Sequence, residues 1–385
     1  MAFAGAGFGF ASWASRIPQV KAHLHLDPSQ LGLVLLSLAG GSVISLPLAG
    51  PIVARFGSRR TVMVTGILGG VGLAVIAVGY QIGVAPVVAG LLCWGVASGT
   101  WDVAMNVQGA AVEQAMGRVI MPRFHAGWSM GTVAGAGLGA ALIAAHVPVL
   151  PHLLAVAVAT AVVIPAAVRG YLPPATGTAI GAAGAGHEGG ERRPHPLAAW
   201  TERRTLLIGI FVLCVTIIEG TGNDWLSLAV IEGYQEPAAV GTITFAVFLA
   251  AMTSGRWFGP RAIDRWGRVP VLRVSAATAL GGLLLIAFGG ALTAALIGAL
   301  AMGVGTALGF PVGLSAAADD PRYSAGRVST AASIGYVAFL AGPPCVGFVA
   351  DHIGVQHGIA VTGTLLIVAF ALAGITAPLS PARRD

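Results

Sequence analysis

The chain has 385 residues, 56% of them hydrophobic and only 9% charged, with a mean hydropathy of +0.84. A net charge of +6 would suggest a nucleic-acid partner in a soluble protein, but no basic soluble module is present and none is expected. Residues 61–101, 124–168 and 274–318 hold no Asp, Glu, Lys or Arg. One bilayer crossing needs about 20 apolar residues, so each run is long enough for two.

With charges, prolines and turn dipeptides as boundaries, the sequence predicts twelve helices. The first six cover 1–22, 30–53, 61–80, 84–112, 124–146 and 150–170. The second six cover 205–231, 238–259, 269–289, 292–313, 327–349 and 358–377. The apolar runs are continuous rather than alternating, which excludes a β-barrel. The expected fold class is an all-α polytopic membrane protein, with 12 transmembrane helices in two pseudo-symmetric six-helix bundles, 1–170 and 205–377. The segment 171–204, Gly/Ala-rich in its middle, should be a flexible cytoplasmic linker, and 378–385 a cytoplasmic tail. Met1 leads straight into an apolar helix, so no cleaved leader is expected; the first helix is either thin on its cytoplasmic side or starts upstream of Met1.

Of the 21 basic residues, 20 are Arg and one is Lys21. With the N-terminus inside, the inner loops and flanks hold Arg55, Arg59, Arg60, Arg118, Arg123, Arg192, Arg193, Arg203, Arg204, Arg261, Arg265, Arg268, Arg322, Arg327, Arg383 and Arg384. The outer loops hold at most Lys21. This positive-inside bias places both termini in the cytoplasm. The halves also echo each other. Ser12-Trp13-Ala14-Ser15 matches Asp224-Trp225-Leu226-Ser227, and Ser129–Ala134 matches Ser333–Ala338, each pair six helices apart. Repeats of this kind mark alternating-access transporters with the site between the halves.

The loop after the second helix reads Gly50-Pro51-Ile52-Val53-Ala54-Arg55-Phe56-Gly57-Ser58-Arg59-Arg60; after the eighth comes Ala262-Ile263-Asp264-Arg265-Trp266-Gly267-Arg268. Both resemble the loop motif of the major facilitator superfamily, Gly-x-Leu-Ala-Asp-Arg-x-Gly-Arg-Arg. A weaker echo, Gly347 to Gly354 with Asp351, follows the eleventh helix. Gly57 and Gly267 would permit tight turns. The resemblance implies a cytoplasmic latch, or gate, of Arg55, Arg59, Asp264, Arg265 and Arg268, with the competing reading that these arginines are simple topological anchors; His125, at the start of the fifth helix, is read as a further gating or capping residue. Ala54 stands where the family has Asp, which should weaken the first copy. Ser12–Pro18, Asn106–Glu113, His125–Gly127, Glu219–Trp225 and Gly342-Pro343-Pro344 are similar to uncharacterised bacterial inner-membrane permeases of the YbjJ type, grouped with fucose-permease-like symporters. That similarity implies a multi-pass protein of the bacterial plasma (inner) membrane, a monomer, with the lipid bilayer and a small-molecule substrate as partners.

A charge inside a crossing costs about 2.5–3.5 kcal/mol on insertion scales and should face a cavity or a partner. Asp102, Asn106, Gly109 and Glu113 recur at helical spacing on the fourth helix, as do Thr216, Glu219, Asn223 and Ser227 on the seventh. Glu219 is the first candidate for a proton-coupling carboxylate, and Asp102 the second; a structural ion pair is the alternative for each. Asp224 lies roughly 100° from Glu219 around its helix. Arg16 could hold an anionic substrate, balance Asp102, or snorkel to the outer surface. Trp13 and Trp225 are read as sugar-stacking walls or interface anchors. Tyr336 is a further cavity candidate. Gly131, Gly135 and Gly139 should serve close helix packing.

Cys93, Cys214 and Cys345 are far apart and the nine His scattered, so no metal, cofactor or enzymatic centre is expected. The sequence therefore points to a secondary active transporter of a small polar solute, working by alternating access with proton coupling; the permease resemblance implies a sugar-like solute moved by symport. Proton-coupled export of a drug or metabolite is the alternative.

Overall fold

Helix α3 (Pro28–Gly79) runs for 52 residues. At 1.5 Å per residue a straight helix of that length would span about 78 Å, more than twice a hydrocarbon core. It is two crossings. At Gly57 the backbone adopts φ 76° and ψ 154°, a region essentially reserved for glycine, and the second span gives way to the third. Gly267 (φ 83°) and Gly354 (φ 80°) mark the same step in the two later copies of the motif.

The computed structural model describes residues 1–116, 121–171, 198–320 and 324–379, and among them only helices, turns and bends occur. Residues 172–197 of the expected linker, residues 380–385 of the tail, the Arg residues at 118, 192, 193, 322, 383 and 384, and the side chain of Glu113 lie outside this description. Among the described residues ten helices are long and apolar enough to cross a membrane. Dividing Pro28–Gly79 at Gly57 adds one. The twelfth is the first span, split into α1 (Ala2–Ala14) and α2 (Ile17–His23). Pro18 in the first turn of α2 has no N–H to continue the ladder, so the helix breaks at Ser15 and Arg16.

The remaining spans are α4 (Val84–Met116), α5 (Met121–Ala144), α6 (Val149–Ala167), α7 (Arg203–Tyr234), α8 (Ala238–Trp266) and α9 (Arg268–Phe288). The tenth is α10 (Leu292–Thr306) with α11 (Gly309–Ala317), the eleventh α12 (Ser324–Ile353), and the twelfth α13 (Val355–Val361) with α14 (Gly363–Leu372). Several run past their predicted ends. The second begins at Pro28 because Asp27 caps it: its carboxylate accepts from the Gln30 N–H at 2.6 Å, while Gln30 Oε1 accepts from the Asp27 N–H at 3.1 Å. The eighth continues through Pro260 to Trp266, so Asp264 and Arg265 occupy its last turn rather than a loop.

The same neighbours recur in both bundles. The fifth span packs on the first, and the eleventh on the seventh; the fourth on the second, and the tenth on the eighth. Glycine makes these approaches close. A Cβ on Gly131, Gly135 or Gly139 would sit 2.0–2.5 Å from Ala4 O, Phe8 O or Ser15 Oγ, and one on Gly335 2.7 Å from Val212. Twelve crossings leave both chain ends on one side, here termed the terminal face; the opposite side is the distal face.

Candidate functional site

The bundles meet through the second span on the eleventh and the fifth on the eighth. On the distal side the approach is backbone to backbone. A Cβ on Gly32 would sit 2.6 Å from Pro343 O, and one on Gly347 2.4 Å from Pro28 O. Two polar links close the same rim: Lys21 pairs with Glu232, and Ser29 donates to Asp351. The terminal face differs. Arg204 and Arg268 both pair with Asp319, at 2.9 and 2.7 Å, and Arg327 pairs with Glu202 at 2.6 Å. Among the described residues these terminal-face ion pairs stay within the second bundle. The hydrogen bond from Arg327 holds the Glu202 carboxyl below its usual range.

Between the two faces sits a set of polar groups. Glu219 is 16 residues into α7 and Arg256 is 18 residues into α8, placing them about 24 and 27 Å along helices of 32 and 29 residues. Arg256 Nη2 donates to Glu219 Oε1 at 2.7 Å, with the side chains 27% and 16% exposed. Arg256 Nε also donates to Ala307 O at 3.3 Å. That carbonyl lies at the break between α10 and α11, where helix ends leave backbone acceptors free. Asp102, 18 residues into α4, is exposed, and Asn106 Nδ2 donates to its backbone O at 2.9 Å and to its Oδ1 at 3.2 Å. Tyr336 of the eleventh span lies within electrostatic reach of Asp102. Asp102 is thus an exposed carboxylate well inside its span, within electrostatic reach of Tyr336 on the other bundle.

The other expected site residues are placed differently. Among the described residues Asn223 Oδ1 has no partner, and Asp224, half-buried, forms no ion pair. Trp13 and Trp225 are buried, at 2% and 0% exposure, so in this conformation neither presents its ring to solvent. Arg16 is also buried and does not meet Asp102; its Nε donates to His152 Nδ1 at 2.8 Å. His125 is exposed, packs edge-on against Phe3 at 5.2 Å and senses the charge of Arg256. At the motif loops, Arg55 and Arg59 are exposed, and Arg55 lies over the Phe56 ring. Arg265 covers Trp266, while Asp264 is exposed without an ion pair among the described residues. Arg268 turns to Asp319 and Ser315. The acid that gathers arginines on the terminal face is thus Asp319.

Sequence reasoning missed Arg256, Asp319, Glu202 and His152. Arg256 carried a weak signal, a charge three residues from the end of the predicted crossing 238–259; only the longer observed helix, reaching Trp266, places it deep in the span. Asp319 carried none, since its two arginine partners lie 51 and 115 residues away.

Residues 1–336 match the profile of the Major Facilitator Superfamily. The chain belongs to that superfamily. It is 31% identical over 381 residues to an uncharacterized MFS-type transporter of Yersinia pestis, covering 97% of this chain and 93% of the relative. It is 29% identical over 365 residues to the membrane protein MosC of Rhizobium meliloti, covering 92% and 83%. Among solved structures, the nucleoside transporter NupG superposes with a TM-score of 0.74 at 16% identity, over 97% of this chain and 98% of that one. A bacterial homolog of the human lysosomal transporter Spinster, in an inward-facing and occupied conformation, gives 0.71 at 13%, over 99% and 98%. These likenesses establish the fold of this superfamily transporter.

Proposed function

We propose that this transporter imports a small polar, sugar-like solute by alternating access in symport with protons, and that the cavity at Asp102, Asn106, Glu219, Arg256 and Tyr336 is its binding and coupling site. The Glu219–Arg256 pair carries this reading. It sits at mid-depth beside the bundle interface, where an ion pair has little water to replace its partner. Protonating Glu219 leaves Arg256 free for solute or for another acceptor; deprotonation recaptures it. Such a pair couples proton occupancy to cavity chemistry. Asp102, tied to Asn106, supplies a second carboxylate in the same cavity.

The arginine-rich terminal face is the cytoplasmic one, supported by the charge bias and by relatives from bacteria, and the bilayer is the bacterial plasma membrane. The distal seal and terminal-side cavity then correspond to an inward-open state. The Ser12–Pro18 and Glu219–Trp225 motifs support a place among the YbjJ-type, fucose-permease-like permeases. The two six-helix bundles move as units, and Asp264 and Arg265 of the gate pair across them when the terminal face closes, while Arg268 stays on Asp319. In proteoliposomes with an imposed proton gradient, Glu219→Gln should lower uphill accumulation at least about tenfold while sparing exchange, equivalent to about 1.4 kcal/mol of lost coupling. Accumulation at the wild-type level would remove the coupling role, and accumulation driven by the opposite gradient would indicate export.

A further inference from the structure

A cavity of about 370 Å³ opens at the distal end of the first bundle, lined in part by Arg16, Gln19, His23, Tyr80, His146 and Ala238. It is formed where the first and third spans end, where the fifth turns into the sixth, and where the eighth begins. Its size falls within the range of small-ligand sites, about 300–1,000 Å³. It is distinct from the central site of Glu219 and Asp102.

The lining contains an uncompensated charge. Arg16 is 2% exposed, and no ion pair to it occurs among the described residues. Its Nε is used on His152, whose Nδ1 accepts and whose ring proton therefore lies on Nε2. Among the described residues Arg16 Nη2 has no partner, nor do Gln19 Oε1 and His152 Nε2. A buried guanidinium without a carboxylate is expensive, because desolvation is not repaid by an opposite charge. The helix break at Ser15 and Arg16 fixes where this side chain leaves the first span, and the hydrogen bond to His152 fixes its orientation. A guanidinium fork matches an anion with planar, two-oxygen acceptor geometry.

We propose that this distal vestibule is a carboxylate-binding subsite in which Arg16 takes the carboxylate of an incoming monoanionic solute and Gln19 accepts from a neighbouring hydroxyl. One fixed positive charge balances one carboxylate. The consequence, that the transported solute is a polar monocarboxylate such as a sugar acid first held near the distal surface, rests on the transport reading; binding itself does not.

The test uses the purified full-length chain in detergent with sodium formate as probe, exchanged for chloride at constant ionic strength. Formate should raise the thermal midpoint saturably by about 2–4 °C over chloride. Arg16→Gln should abolish the rise. Arg16→Lys, which keeps charge without the fork, should move the formate midpoint to at least about threefold higher concentration; Gln19→Ala should do the same for sodium glycolate, which carries the hydroxyl, and leave the formate midpoint unchanged. No rise in the wild type, or an unchanged formate response in both Arg16 variants, overturns the subsite, and an unchanged glycolate response in Gln19→Ala overturns the hydroxyl contact. If Arg16→Gln does not fold, Arg16→Lys decides the subsite alone. Proton-driven uptake by the wild type in proteoliposomes is measured in parallel. An Arg16-dependent formate response without uptake leaves the subsite standing and removes the transport reading; uptake without a formate response removes the subsite only.

Discussion

The two faces of this transporter use similar side chains for different ends. On the distal face, Lys21 reaches Glu232 and Ser29 reaches Asp351, each across the bundle interface, beside contacts so close that only glycine fits at positions 32 and 347. On the terminal face, Arg204, Arg268 and Arg327 satisfy Asp319 and Glu202 inside one bundle. A contact that spans the interface must break when the bundles rock; a contact inside a bundle travels with it. The distal set therefore biases the conformational equilibrium, and the terminal set supports the fold of the second bundle in every state.

The largest expected effect comes from wedging the distal seal. Gly32→Leu places a side chain against the Pro343 carbonyl, so the second and eleventh spans cannot close. Transport should fall at least about tenfold, and a cysteine introduced at the rim should become reactive from the distal side; unaltered transport would show that the glycine contact is not a seal. Gly57→Ala acts within a bundle, forcing a Cβ into a backbone region that costs about 1–3 kcal/mol for other residues. The thermal midpoint should drop by several degrees, and an unchanged midpoint would mean that the turn relaxes. Lys21→Gln removes a partly exposed pair worth about 0.2–1 kcal/mol. It should shift the open-to-closed ratio up to about fivefold with little change in thermal stability, and the reverse outcome would blur the contrast between the faces.

The smallest effect is pH-dependent. Glu202 has its folded pKa lowered, chiefly by the hydrogen bond from Arg327. It contributes stability above the normal carboxyl range, and loses it as pH falls through the lowered value. Because its side chain is 32% exposed, solvent screening keeps the contribution small. The stability difference between wild type and Glu202→Gln should shrink between about pH 5 and pH 3; a difference that grows on acidification would contradict the assigned cause.

The twelve crossings were legible because lipid demands long apolar segments, and the turns at Gly57 and Gly267 because their glycines sit in a motif of fixed spacing. Glu219 stood out as a charge in a crossing. Its partner Arg256 was less visible, three residues from the end of its predicted crossing, and a sequence does not say which of several membrane-embedded charges will meet. Pairing depends on how spans face one another, as Arg16 illustrates: it lies near Asp102 by neither sequence nor space, and contacts His152, 136 residues away. Trp13 and Trp225 match across the halves, yet their large apolar rings were drawn into the bundle interiors. Asp319 could not be anticipated, since its arginines come from different spans.

The most direct test is a pair of spin-label distances in the same protein, one across the distal rim between positions 21 and 232, the other across the terminal face between positions 55 and 265, read in wild type and in Glu219→Gln. Alternating access predicts opposite changes, the distal distance lengthening in the fraction of molecules whose terminal distance shortens. Distances that lengthen together, or a terminal distance that varies while the distal one never does, would contradict it.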